Sequence, residues 1–207
     1  MSELGDLSPF MAKVRDSRYP GAWPSVEKCQ VLSALVIAFH PDLAVEIGVW
    51  KGDSLVPVLM AMSLIGHGRA VAIDPWSADA SIAGQDGPNH EWWAKVDHEA
   101  IYKEFADRLT KEALWDRCQV LRKASRDIDP VTLGPIGLLH VDGNHGEEAF
   151  ADIANYGRQV PVGGVMVLDD LDWAGGAVRR GMEHAVQCGF RVLFTLGTGC
   201  VLQRIAV

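Results

Sequence analysis

A chain of 207 residues with 48% hydrophobic and 22% charged side chains has enough apolar content for a soluble domain with a proper core. Its formal net charge of −8, with no Lys/Arg block, argues against a general affinity for nucleic-acid backbones. No run approaches the roughly 20 apolar residues of a membrane span, and "MSELGDLSPFMAKVRD" lacks a signal peptide's apolar stretch.

In chain order, the segment from Met1 to about His40 reads as one or two helices around "YPGAWPS", with Pro20 and Pro24 as breaks. Short runs rich in Val, Ile and Leu then alternate with amphipathic stretches. "LAVEIGV" (43–49) precedes a helix over roughly 52–65, and "RAVAID" (69–74) follows it. The stretch 75–98 fits neither strand nor regular helix. Its length and its tryptophans mark it as a lid or substrate loop. A helix over 98–114 leads to "CQVLRK" (118–123) and "IGLLHVD" (136–142), and a helix over 146–159 leads to "GVMVLDD" (164–170). One more helix spans 175–188.

Continuous apolar runs of this kind are strands of a parallel sheet covered on both faces by helices. Their repetition implies right-handed β-α-β units. The terminal "FRVLFTLGTGCVLQRIAV" is two strands split by Gly197-Thr198-Gly199, too tight for a crossover helix and therefore an antiparallel hairpin. The expected architecture is an N-terminal helical extension over 1–40 and a doubly wound, Rossmann-like α/β domain of seven strands over 41–207. Cys29, Cys118, Cys188 and Cys200 lie too far apart for a zinc site. They read as isolated, mostly buried thiols of a reducing, cytoplasmic compartment.

Ligands of a doubly wound sheet sit at the carboxyl ends of its strands. Glu46, Asp74, Asp142 and the pair Asp169-Asp170 occupy four such ends here, which suggests a cationic or hydroxyl-rich ligand or a metal ion. In "EIGVWKGDS", Gly48 and Gly52 let the backbone approach a ligand, and Asp53 or Ser54 could cap the following helix. Gly48 is also readable as an ordinary turn glycine. The loop lacks both G-x-G-x-x-G and the Gly-Lys-Ser/Thr of a P-loop, which disfavours phosphate binding. Asp74 suits the two hydroxyls of a ribose, or equally a helix cap. In "GLLHVDGNHGEEAF", Asp142-Gly143-Asn144 is good turn chemistry, which leaves His145 unexplained.

Together these residues resemble the class I S-adenosylmethionine-dependent methyltransferases, over about 41–207. The resemblance implies the strand order 3-2-1-4-5-7-6 with an antiparallel seventh strand. It implies that Glu46, Gly48 and Gly52, with Ser54, face the methionine part of the cofactor, that Asp74 holds the ribose and that Ser125 meets the adenine. Asp142 closes that cofactor set. "HVDGNH" and "GGVMVLDDLDW" look like the small metal-dependent O-methyltransferases, including those acting on macrolide sugars. That likeness implies a magnesium or manganese ion on Asp142, Asp169 and Asp170, gripping neighbouring substrate hydroxyls.

The family pattern often reads Asp-Gly-Asp, with the second acid as base, and here that position is Asn144. A neutral amide cannot take the proton. His145 is the candidate base beside Asp142, since an imidazole ordinarily titrates near neutrality; a capping or supporting role is the alternative, and Asp172 a further substitute. Trp50, Trp76 and Trp173 are expected as a substrate wall, with Trp92 and Trp93 in the long loop, while Trp23 and Trp115 are assigned to core packing. The implied activity is magnesium-dependent O-methylation of a small hydroxylated molecule, a sugar or natural product. Alternatives are a metal-independent methyltransferase, other chemistry on a cephalosporin-hydroxylase-like site, a silent cofactor-binding or scaffold domain, and a NAD oxidoreductase, which the glycine loop opposes. Neither nucleic acid nor membrane is expected as a partner, and a homo-oligomer stays open.

Overall fold

Two helices lead into the sheet, α1 (Ser8–Asp16) and α2 (Val26–Phe39). Ser25 starts α2 by accepting the Lys28 N–H at 3.1 Å, satisfying an amide that the first turn leaves open. Cys29, Leu32 and Val36 on this helix are fully buried, so α2 shares the core of the sheet. The computed structural model describes residues 5–19, 21–83, 86–173 and 175–206. Pro20, expected as a break, lies outside the described residues.

The chain continues through β1 (Leu43–Ile47), α3 (Leu55–Ile65), β2 (Arg69–Ile73), α4 (Ala78–Ile82), α5 (Gly87–Lys95), α6 (His98–Lys111) and β3 (Cys118–Leu121). It ends with β4 (Leu138–Val141), α7 (Glu147–Tyr156), β5 (Val165–Leu168), α8 (Ala177–Gln187), β6 (Phe190–Leu196) and β7 (Gly199–Arg204). One seven-stranded sheet runs β3-β2-β1-β4-β5-β7-β6. β1 to β5 are parallel, and β7 is antiparallel to both its neighbours, as the terminal hairpin requires. This is the expected order.

Alternation along each strand feeds two apolar layers. On β1, Ala44 joins the layer beneath α2, α3 and α6, whereas Leu43, Val45 and Ile47 join the one beneath α7 and α8. The stretch 75–98 departs from expectation, because it forms α4 and α5. Neither helix buries a single residue, so no 3.6-residue apolar period exists for a sequence to display. Pro88 opens α5, where its missing N–H is no loss. Adjacent strands β1 and β4 bring their loops into contact at the switch point. A Cβ on Gly48, at φ +84, would collide with the Asp142 carbonyl oxygen, which only glycine avoids.

Candidate active site

A cavity of about 910 Å³ opens at the carboxyl ends of the parallel strands. Gly48, Ser54, Asp74, Ser125 and Asp142 line it together, from both sides of the switch point. Asp74 is committed locally. One carboxylate oxygen accepts the N–H groups of Val49 at 2.9 Å and Trp50 at 3.0 Å, and the other accepts that of Trp76 at 2.7 Å. The acid thus pins the glycine loop against β2. Burial raises its pKa, and those three amides oppose the rise. Trp50 is held at φ +53, a strained setting for so bulky a side chain.

Two residues of the expected cofactor set face elsewhere. A Cβ on Gly52 would meet the Phe105 ring at 2.5 Å, so this glycine serves the packing of α3 on α6. Glu46 is buried beneath the floor, accepting from Ser54 Oγ at 2.7 Å and meeting His140 Nδ1 at 2.9 Å. Burial pushes the Glu46 carboxyl up to about 8, against the pull of the Ser54 hydroxyl and Lys28. Burial, with Lys28 nearby, pulls the His140 imidazole down to about 3. Burial thus favours the neutral form of both side chains. At the other end of the cavity, beside Ser125, burial pushes the Asp152 carboxyl up to about 6.

The three aspartates expected to share an ion divide into two groups. Asp142 and Asp169 meet at Lys28, whose Nζ lies 3.2 Å from Asp142 Oδ2 and also pairs with Asp169 Oδ2. His140 Nε2 stands beside the same oxygens, at 3.9 Å and 3.5 Å respectively. Asp170 has a left-handed backbone, φ +51, which turns it away from its neighbour. Its carboxylate receives the Thr198 hydroxyl at 3.0 Å and lies 3.2 Å from His145 Nε2. The His145 ring packs at 4.7 Å against Trp173. Asn144 ties down the 75–98 stretch, donating its amide to the Ala83 carbonyl at 2.7 Å just beyond α4. Asp172 pairs instead with Arg179 on the exposed surface.

The tryptophans also sort differently from expectation. Trp50, Trp92, Trp93 and Trp173 line the cavity. Trp76 does not: it is 4% exposed, stacks on Phe105 at 5.6 Å and donates its indole N–H to the Trp50 carbonyl. Trp23, expected in the core, is 60% exposed and stacks on Trp50 at 5.1 Å, 9° from parallel, at the cavity mouth. It sits in the turn before α2, ahead of the first residue that the helix buries, so only the mouth is within reach. Trp115, also assigned to the core, is 41% exposed.

A family model described as a methyltransferase domain matches residues 45–171, from β1 to just beyond β5. The chain belongs to the methyltransferase domain family. The class I resemblance read from the residues and the strand order agree with that membership. A search of curated protein sequences finds no match. Among solved structures, the O-methyltransferase TomG from Streptomyces achromogenes, involved in tomaymycin synthesis and solved with SAM, is 17% identical. That alignment takes in 99% of this chain and 93% of TomG, with a TM-score of 0.65. The O-methyltransferase NovP is 16% identical over 95% of this chain and 88% of its own, with a TM-score of 0.69. The O-methyltransferase from Bacillus cereus, solved with SAH, is 15% identical over 99% and 94%, with a TM-score of 0.61. At these identities the likeness is one of fold.

Three cavity residues, Trp23, Lys28 and Asp152, are not strand-end or motif positions, and His140, inside "HVDGNH", lies beneath the floor. Lys28 did leave a signal. It lies on one helical stripe with Leu32 and Leu35, and a charge on a buried stripe needs a partner. No helix among the described residues is long and apolar enough to cross a membrane.

Proposed function

We propose that the protein transfers a methyl group from S-adenosylmethionine to an oxygen of a small hydroxylated molecule, such as a sugar or natural product. The observation that carries this reading is a single cavity in which Gly48, Asp74 and Ser125 share walls with the His145–Asp170 pair. TomG was solved with SAM and the Bacillus cereus O-methyltransferase with SAH, and both are called O-methyltransferases, which supports the same donor and acceptor atom here. When bound, S-adenosylmethionine supplies an activated methyl group; the protein has to align the acceptor, exclude water and accept a proton. Asp170 holds His145 Nε2 and so leaves Nδ1 as the basic nitrogen. The lid and the tryptophans around the mouth keep water from the reacting atoms. The free thiols, with only Cys188 exposed, support a reducing, cytoplasmic setting.

The magnesium or manganese ion implied by the narrower likeness would draw its ligands from His140, Asp142 and Asp169, which can bring one donor atom each within 4.8 Å of one another. Lys28 already stands on both carboxylates, so the cluster does not fit an ion while that ammonium is in place. This observation favours the metal-independent reading.

Incubation of the purified protein with isotopically labelled S-adenosylmethionine and a panel of sugars and phenols tests the assignment. Transfer of label to one acceptor class is expected. His145→Ala should lower turnover by roughly 10²–10⁴-fold while calorimetry shows unchanged cofactor affinity. Cofactor binding without transfer to any acceptor would make the protein a silent binding domain, and a variant within a few-fold of the parent would remove His145 from the reaction.

A further inference from the structure

We propose that Lys28 is the built-in cation of the Asp142–Asp169 pair, keeping by a tethered ammonium the place for which a divalent ion would compete. The inference deepens the methyl-transfer reading and rests on it only where activity is measured. α2 fixes the side chain from both directions. Ser25 caps the turn that carries Lys28, and the next residue, Cys29, is fully buried with its thiol 3.3 Å from the Asp53 carbonyl. Lys28 therefore enters the cavity floor from a helix whose phase is locked by the core. Only 8% of the residue is exposed, and an ammonium so buried is stable only with anionic partners. It has two, contributed by the ends of β4 and β5.

A second feature shows that the cluster has the makings of an ion site. His140 is 1% exposed, and its Nε2, aimed at the two carboxylates, has no hydrogen-bond partner. Its other nitrogen is anchored by Glu46. An imidazole fixed through Nδ1 by the Glu46 carboxyl behind it, with two carboxylate oxygens in front of Nε2, offers the mixed nitrogen and oxygen donors that suit a divalent transition ion. A like charge already sits there. Ammonium and divalent ion repel each other at close range in a site shielded from water, so the two exclude each other. Because Lys28 is covalently attached, its local concentration does not fall on dilution, and the ion has to displace it at every encounter.

Manganese binding to the purified protein, read by paramagnetic resonance of the free ion and by calorimetry, tests this without any methyl acceptor. The parent and Lys28→Arg should bind Mn²⁺ at least 100-fold more weakly than Lys28→Met, and the site gained by Lys28→Met should vanish when Asp169→Asn is added. Equal, tight Mn²⁺ binding by the parent overturns the proposal whether or not Lys28→Met folds. A folded Lys28→Met that gains no site overturns it too, since the carboxylates would then not be a latent ion site. In the activity arm, excess chelator should leave parental turnover unchanged, and turnover lost to chelator and restored by Mg²⁺ would overturn the proposal. Absence of all turnover would count against the methyl-transfer reading alone, with Mn²⁺ binding still deciding the role of Lys28.

Discussion

Asp152 sits on α7 with its carboxyl beside Ser125, where water is scarce and charge is costly. Its pKa is pushed from 3.8 to about 6 by burial, with the Ser125 hydroxyl pulling the other way. The folded form therefore holds its proton at pH values where the unfolded chain has released it. Stability from this group is fully present below about 4 and is lost as pH rises through about 6. About two pH units correspond to a ceiling of about 3 kcal/mol. Asp152→Asn should thus melt at the same temperature as the parent near pH 4 and several degrees higher at pH 8, in paired thermal melts. A difference that is constant with pH would show that Asp152 ionises normally. The same residue illustrates what strand-end logic overlooks, since Asp152 lies one turn inside a helix and its neighbour Ser125 lies 27 positions earlier.

At the level of elements, α4 and α5 are lightly attached. They bury no side chain of their own, so their position depends on a few directional contacts. One is the Asn144 amide donating to Ala83 while its oxygen accepts the Gly146 N–H. Asn144→Asp restores the acid of the usual Asp-Gly-Asp pattern, but a carboxylate has no hydrogen to give Ala83. Limited proteolysis should cut within 77–96 faster in that variant than in the parent, and equal cleavage rates would show the tether to be unimportant. β1, β4 and β5 were legible because each is a short apolar run buried at every position, and the hairpin because Gly197-Thr198-Gly199 leaves room for nothing else. α4 and α5 were not, because helices that bury nothing carry no period. At the site, Gly48, Asp74 and Asp142 could be found by position alone. The separation of Asp170 from Asp169 could not, because it depends on one left-handed backbone angle, and the partner of Asp142 comes from a helix 114 residues away.

Across the whole molecule, the cavity is closed by pieces that are remote in sequence. Trp23 comes from the turn before α2, Trp50 from the glycine loop, and Trp92 and Trp93 from α5. The four indoles lie with centroids 4.8 to 6.2 Å apart, and Trp23 lies nearly flat on Trp50. Rings this close, several of them steeply inclined to one another, share their electronic excitation. The cluster should give the protein a paired positive and negative band of tryptophan origin in its far-ultraviolet circular dichroism. Trp23→Ala, which removes three of the six ring pairs, should weaken that couplet without loss of helical signal, and an unchanged spectrum would show that Trp23 is not held against the other rings in solution. Filling the cavity or lifting α5 would alter the same bands. The doorway thereby reports its own state in polarised light, and ligand entry becomes measurable with no label and no turnover.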